Sequence, residues 1–227
     1  VKLWDTSTWK EIQTLTRHTN EISGVSFNPN GKVLASASFD KTVKLWNTST
    51  GKEIQTLSGH VNSVNGVSFS PDGKILASAS SDTTVKLWDT STWKEIQTLS
   101  SYTEEVTWVS FSLDGKMLAS ASSDSVKLWD TSTWNEIQTL TGHNDSVDGV
   151  SFSPDGKILA SASFDKTVKL WDTSTGQEIQ TLTGHNNSVN GVSFSPDGKI
   201  LASAGSDTTV KLWDTSIGQE IQTLSSH

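Results

Sequence analysis

Apolar and polar positions along this chain repeat one pattern. Within residues 17–57, Ile22–Phe27 alternates between the two classes and is closed by "NPNG", with Pro and Gly where a tight turn wants them. Val33–Ser38, "VLASAS", is an unbroken run of small and apolar residues, as expected of a strand covered on both faces. "FDKT" then leads into Thr42–Trp46, and "NTSTGK" into Glu53–Leu57. Every run has strand length, every connection has hairpin length, and no segment carries a helical period. The pattern predicts a four-stranded antiparallel meander.

The unit recurs without a break. The tryptophans of "KLW" stand at Trp4, Trp46, Trp88, Trp129, Trp171 and Trp213, spaced by 42, 42, 41, 42 and 42 residues. Nothing lies outside this period, so a single domain is expected over 1–227, with full units at 18–57, 60–99, 102–140, 143–182 and 185–224 and a two-strand half unit at 1–15. One such sheet cannot bury both faces alone, so neighbouring copies must stack.

The motifs "SGH", "TGH", "SPDGK", "LASAS", "TVKLWD" and "TSTG", recurring in phase, resemble the WD40-repeat family over the whole chain. The copies are alike enough to resemble recently amplified WD40 arrays found in some bacteria. The resemblance implies an all-β, WD40-type β-propeller. Five complete four-stranded antiparallel blades and an N-terminal half-blade would fill about six blade positions. Because Val1 opens on a third strand and His227 on the start of another copy, the expectation is a piece of a longer propeller. The edge at Val1–Trp4 is then a candidate for self-association.

Composition narrows the partners. Hydrophobic residues make up 33%, which is lean for one deep core and suits many thin layers. The net charge is −8, from 17 basic and 25 acidic residues with no basic block, which argues against nucleic acid and anionic membrane. There are no cysteines, hence neither disulfides nor thiolate metal sites. No apolar run approaches the ~18 residues of a membrane span, and no signal peptide is visible, so a cytoplasmic location is expected. The "NTS", "NDS" and "NNS" sequons read as chance in an Asn/Ser-rich chain. The "PDG" turns offer too few oxygens for a calcium cage, and no cofactor or metal is expected.

Each copy holds His, Ser and Asp, which invites comparison with a hydrolytic triad. Catalysis needs one exposed nucleophile at one pocket, whereas this set recurs, and the buried Trp that follows it needs an acceptor for its indole N–H. By resemblance the sets are structural chains from Trp to Ser to His to Asp. They comprise His18/Ser36/Asp40/Trp46, His60/Ser78/Asp82/Trp88, His143/Ser161/Asp165/Trp171 and His185/Ser203/Asp207/Trp213. Which serine of "SAS" takes part stays open. No catalytic residue is expected. The Lys of "VKLW" and the Glu of "EIQTL" read as a solvated outer face.

The third copy departs from the rest. Tyr102 replaces the His, the turn carrying Asp124 is one residue short, and Trp129 is left to Ser120, a coupled loss that reads as local stability given up. Trp108 replaces a Gly on the inner strand, and Glu104 and Glu105 charge the leading loop. Those changes read as a specialised blade, in which returning Trp108 to Gly should weaken binding more than stability; the competing reading is that Trp108 only fills space vacated elsewhere.

Variation between copies concentrates in that leading loop and at the residue before the turn Asp: Phe39, Ser81, Ser123, Phe164 and Ser206. In a meander both sites fall at one end, the face on which WD40 partners commonly dock. An invariant framework with variable loops fits a binding platform, although drift after duplication produces the same pattern. Candidate partner-binding residues are Phe39, Phe164, Tyr102, Glu104, Glu105 and Trp108, with Asn65, Asp148 and Asn190 as a polar mouth to the central channel. For the two phenylalanines, packing on a neighbouring blade is the competing reading. On the opposite face "TSTG" becomes "TSTW" at Trp9, Trp93 and Trp134, which implies a different turn or a strained one and either a blade-edge cover or a second interface.

The function expected is a non-catalytic scaffold or sensor module for protein or peptide partners. The alternatives are a repeat-built receptor for a small molecule or glycan and, last, an enzyme.

Overall fold

A computed structural model describes residues 1–100, 102–123 and 125–225. Every regular element among the described residues is a β-strand. A hairpin, Lys2–Trp4 with Glu11–Thr14, precedes five four-stranded sheets, each an antiparallel meander in chain order. The first sheet runs Ile22–Phe27, Val33–Ser38, Thr42–Asn47 and Glu53–Ser58, and the second Val64–Phe69, Ile75–Ser80, Val85–Asp89 and Glu95–Leu99. The third comprises Val106–Phe111, Met117–Ser122, Ser125–Asp130 and Glu136–Thr141. The fourth is Val147–Phe152, Ile158–Ser163, Thr167–Asp172 and Glu178–Thr183, and the fifth Val189–Phe194, Ile200–Gly205, Thr209–Asp214 and Glu220–Ser225.

The chain forms two compact units, residues 1–101 and 102–227. In the first, the second and third strands of sheet one pack on the first strand of sheet two, and Ala35, Ala37, Val43 and Leu45 meet Val64, Val67, Phe69 and Trp88. The hairpin covers part of the other face through Leu15, Val1 and Leu3 against Leu34 and Trp46. In the second unit equivalent layers join sheet three to sheet four and sheet four to sheet five. The core is therefore a series of slabs, which is how a sequence with few apolar residues buries them.

Small residues follow from that layering. In sheets one to four the second strand is buried over its last five residues, and Ala35, Ser36, Ala37 and Ser38 are fully buried, whereas that of sheet five is partly exposed. First strands of successive sheets approach backbone to backbone: a Cβ on Gly24 would stand 3.4 Å from the Gly66 Cα, and one on Gly149 3.0 Å from the Gly191 Cα. The fourth strands end the sheets. Each begins with a bulge that leaves one Ile out of register, such as Ile54 between Gln55, opposite Leu45, and Glu53, opposite Trp46. A bulge of this kind makes an open edge a poor template for further strands.

The tryptophan turns keep the geometry of the glycine turns. Trp93 N–H donates to the Asp89 carbonyl at 2.7 Å, as Gly51 N–H does to Asn47 at 2.8 Å. The φ angles are 56°, 56° and 57° at Trp9, Trp93 and Trp134, against 65° at Gly51. Of the two expectations, the strained turn is the one found. At Gly51 a side chain would collide with Gln13, 2.2 Å away, so a turn glycine makes room for the glutamine of the preceding sheet. Trp93 instead packs against the core between sheets one and two, covering its own edge of the layer. Trp9 is 77% exposed. Its left-handed backbone is thus strained with little burial in return, and Trp9→Gly is expected to stabilise the protein by about 0.5–1 kcal/mol. A higher melting temperature would show this, and a lower one would show that the exposed ring makes a contact of value.

Candidate functional site

The turn joining second to third strand is zipped to the leading loop. Phe39 N–H donates to the Glu21 carbonyl at 2.9 Å, and Thr19 N–H to the Asp40 carboxylate at 3.0 Å. The two variable segments therefore share one end of the sheet.

Beneath them lies the repeated polar network. In sheet one the Trp46 indole donates to Ser36 Oγ at 2.8 Å, His18 Nε2 meets the same Oγ at 2.8 Å, and His18 Nδ1 meets Asp40 at 2.7 Å. Sheets two, four and five repeat this through Ser78, Ser161 and Ser203. The first serine of "SAS" is thus the one in the network. The second, Ser38, bonds the Asn20 carbonyl at 3.2 Å and receives Asp40 N–H at 3.1 Å. The four central serines are fully buried. A hydroxyl closed in this way cannot reach a substrate carbonyl.

Charge follows the same wiring. Burial works to raise the Asp40 and Asp165 carboxyls, but hydroxyls of Thr42 and Thr167, the imidazoles and backbone N–H groups bring both down to about 2. Asp82 and Asp207 are likewise lowered, against burial, by Thr84 and Thr209 with their histidines and loop N–H groups. With the carboxylates ionised, Nδ1 carries the imidazole proton, and Nε2 accepts from the serine hydroxyl. Burial lowers His60 and His143, opposed by their Asp partners. Both kinds of group bind protons more readily unfolded than folded, so their stabilisation is complete above the unfolded values of 6.5 and 3.8 and is lost below them. Thermal stability is expected to decline gently from about pH 6.5 and steeply between about pH 4 and 2. A melting temperature level from pH 7 to pH 3 would refute this.

The third sheet solves the same problem differently. The Tyr102 hydroxyl bonds Ser120 Oγ, and the Trp129 indole donates to Ser120 at 2.8 Å and to the phenol oxygen at 3.1 Å. Burial pushes the phenol well above its usual range. Asp124 lies outside the described residues. No buried side-chain polar atom among the described residues lacks a partner, so Tyr102 compensates for the histidine it replaces. At 8% exposure it is buried as part of the network, which leaves it little surface for the partner-binding role expected of it.

The remaining candidates divide. Phe39 and Phe164 are 39% and 41% exposed. Asn65 and Asn190 instead reach across their own sheets, each Nδ2 donating at 2.9 Å to Ser81 or Ser206, the residue that stands where the first and fourth copies have Phe. Their amides are engaged, so they are less available to a channel than expected. Ser23 and Thr107 occupy the same inner-strand position and donate to the next sheet, at Val64 (2.6 Å) and Val147 (2.5 Å). Asp148 has Phe164 in place of the serine. Burial raises its carboxyl to about 6, helped by Glu105 and Asp145 and opposed by Ser146. Glu104 and Glu105 are exposed on the leading loop. Trp108 is half-buried and packs on the core between sheets three and four.

The outer lysines are not solvated as expected. The side chains of Lys44, Lys86, Lys127, Lys169 and Lys211 are 10–13% exposed and pair with Glu53, Glu95, Glu136, Glu178 and Glu220. A threonine completes each set, as Lys86 reaches Thr98 at 3.1 Å while Thr98 bonds Glu95 at 2.6 Å. The invariant interval from Lys to Glu to Thr in every copy is the trace of this in the sequence. No three His, Asp or Glu side chains converge as metal ligands among the described residues. Nor is any helix there long and apolar enough to cross a membrane.

The family model described as "WD domain, G-beta repeat" matches residues 9–47, 51–89, 93–130, 134–172 and 176–214. Elongator complex protein 2 of Danio rerio is similar over 42 residues, with 40% identity, covering 18% of this chain and 5% of that protein.

Proposed function

This chain belongs to the WD40-repeat family, and from that premise we propose that it is a non-catalytic platform for protein or peptide partners, engaged through the leading loops and the Phe39 and Phe164 turns. Repeats of this family generally mediate protein–protein interaction, and the similar Danio rerio protein is by name part of a complex. One contrast carries the reading. In sheets two and five the variable pair closes on itself as Asn with Ser, whereas in sheets one and four it leaves a phenylalanine at the surface. Exposed aromatic rings on a rigid scaffold fit the role of binding anchors. The Asn side chains that a repeat-built glycan receptor would use are bonded to their own serines, which weighs against that alternative.

The test is capture from native lysate by the wild-type protein and by a Phe39→Ala/Phe164→Ala variant, run beside a glycan array. Loss of about 2 kcal/mol, roughly 30-fold in affinity, for a protein captured by the wild type is expected. Equal capture by both, or a glycan hit with no protein partner, would overturn the proposal.

A further inference from the structure

Three Asn-Gly pairs occur in the sequence, at Asn30–Gly31, Asn65–Gly66 and Asn190–Gly191, in two different settings. The last two pairs lie on first strands, where Gly66 is held opposite Ala79 and Gly191 opposite Ala204, and each Asn amide is tied to a serine. Asn30 sits in the turn between the first two strands of sheet one, with both residues exposed. Gly31 has φ 70°, and the space beside its Cα is open for 4 Å. Asn30 Oδ1 accepts Lys32 N–H at 2.9 Å, so the amide folds back over the Gly31 nitrogen.

We propose that Asn30 is a site of spontaneous deamidation. The Gly31 backbone nitrogen attacks Asn30 Cγ and forms an N–Cγ bond, while the Cγ–Nδ2 bond of the amide breaks and ammonia leaves with the proton from Gly31. Water then opens the cyclic imide at either carbonyl, giving aspartate or isoaspartate. The Lys32 N–H is aimed at the oxygen that becomes negative during attack, as a donor in an oxyanion hole would be. The Gly31 N–H donates to the Asn28 carbonyl at 2.8 Å, so reaction waits on opening of this exposed turn, a smaller event than unfolding of a strand.

The turn is suited to the aspartate product. The four other copies carry Asp72, Asp114, Asp155 and Asp197 at this position. Backbone N–H and serine donors hold all four carboxyls low. Asp72 accepts Lys74 N–H at 3.0 Å, as Asn30 accepts Lys32 N–H. The inner-strand position is the reverse case, since Asp148 there is half-buried with a raised pKa. The isoaspartate product adds a methylene to the backbone and cannot keep this turn.

The experiment ages the 227-residue chain in warm, mildly alkaline buffer, with peptide mass mapping and an ammonia assay, beside a urea-unfolded sample and an Asn30→Asp variant. The Asn30 peptide should gain the mass of an amide-to-acid change at least about tenfold faster than the Asn65 and Asn190 peptides in the folded protein. The three should react at comparable rates in urea, and ammonia release from the folded variant should fall to the level set by the two strand sites. An unchanged Asn30 peptide, or equal rates at all three sites in the folded protein, would overturn the proposal.

Discussion

Ser161→Ala is expected to cost about 3 kcal/mol of stability, because one hydroxyl serves two buried groups. Its oxygen accepts the Trp171 indole N–H at 2.8 Å, and its proton lies toward His143 Nε2 at 2.7 Å. Trp171 is 2% exposed, and water cannot replace the lost acceptor without opening the layer between sheets three and four. Each orphaned group costs about 1–3 kcal/mol, while the cavity left by a hydroxyl is negligible. Tyr102→Phe gives the contrast. There Ser120 remains as acceptor for Trp129, so about 1 kcal/mol is expected. Urea unfolding of both variants measures the difference. Should the serine variant lose less than the tyrosine variant, the network from Trp to Asp would not be what holds these sheets rigid.

Most of the framework could be read from residue order because its causes are local or repeated. Alternation in "ISGVSF", the small run "VLASAS" and the turn chemistry of "NPNG" each specify an element without reference to neighbours. The need of a buried indole for an acceptor called for a partner, but which serine of "SAS" supplies it stayed open until the fold brought Ser36 to Trp46. The misread features all depend on distance across the fold. Asn65 lies at a register shift, between Val64 opposite Ser80 and Gly66 opposite Ala79, and that bulge brings it to Ser81. A bulge leaves no mark in the spacing of residues. Whether a phenol can do the work of an imidazole depends on the reach of Tyr102 to Ser120, which residue identity does not disclose. The outer lysines looked solvated because charge is usually exposed, yet a Glu and a Thr on the next strand accept them under partial cover.

Trp108→Gly is expected to destabilise the protein by about 3 kcal/mol, reversing the expectation that it would chiefly weaken binding. The indole is half-buried and packs on the layer that contains Val147, Val150 and Phe152, so its removal exposes on the order of 100 Å² of apolar surface, about 2.5 kcal/mol. A glycine adds backbone freedom to the unfolded state and widens the loss. Sheet four has a tighter setting at the same position. There the first strand approaches the next so closely that a Cβ on Gly149 would stand 3.0 Å from the Gly191 Cα, so the neighbouring backbone would have to shift to admit a side chain. In sheet three the tryptophan has become part of the layer, and a glycine would leave that volume empty. The effect should be opposite in sign to that of Trp9→Gly, although both replace Trp by Gly, because one ring is packed and the other is in solvent. Thermal and urea unfolding of the two variants side by side decide the matter. A Trp108→Gly variant as stable as the wild type, with partner capture lost, would return this residue to the binding face.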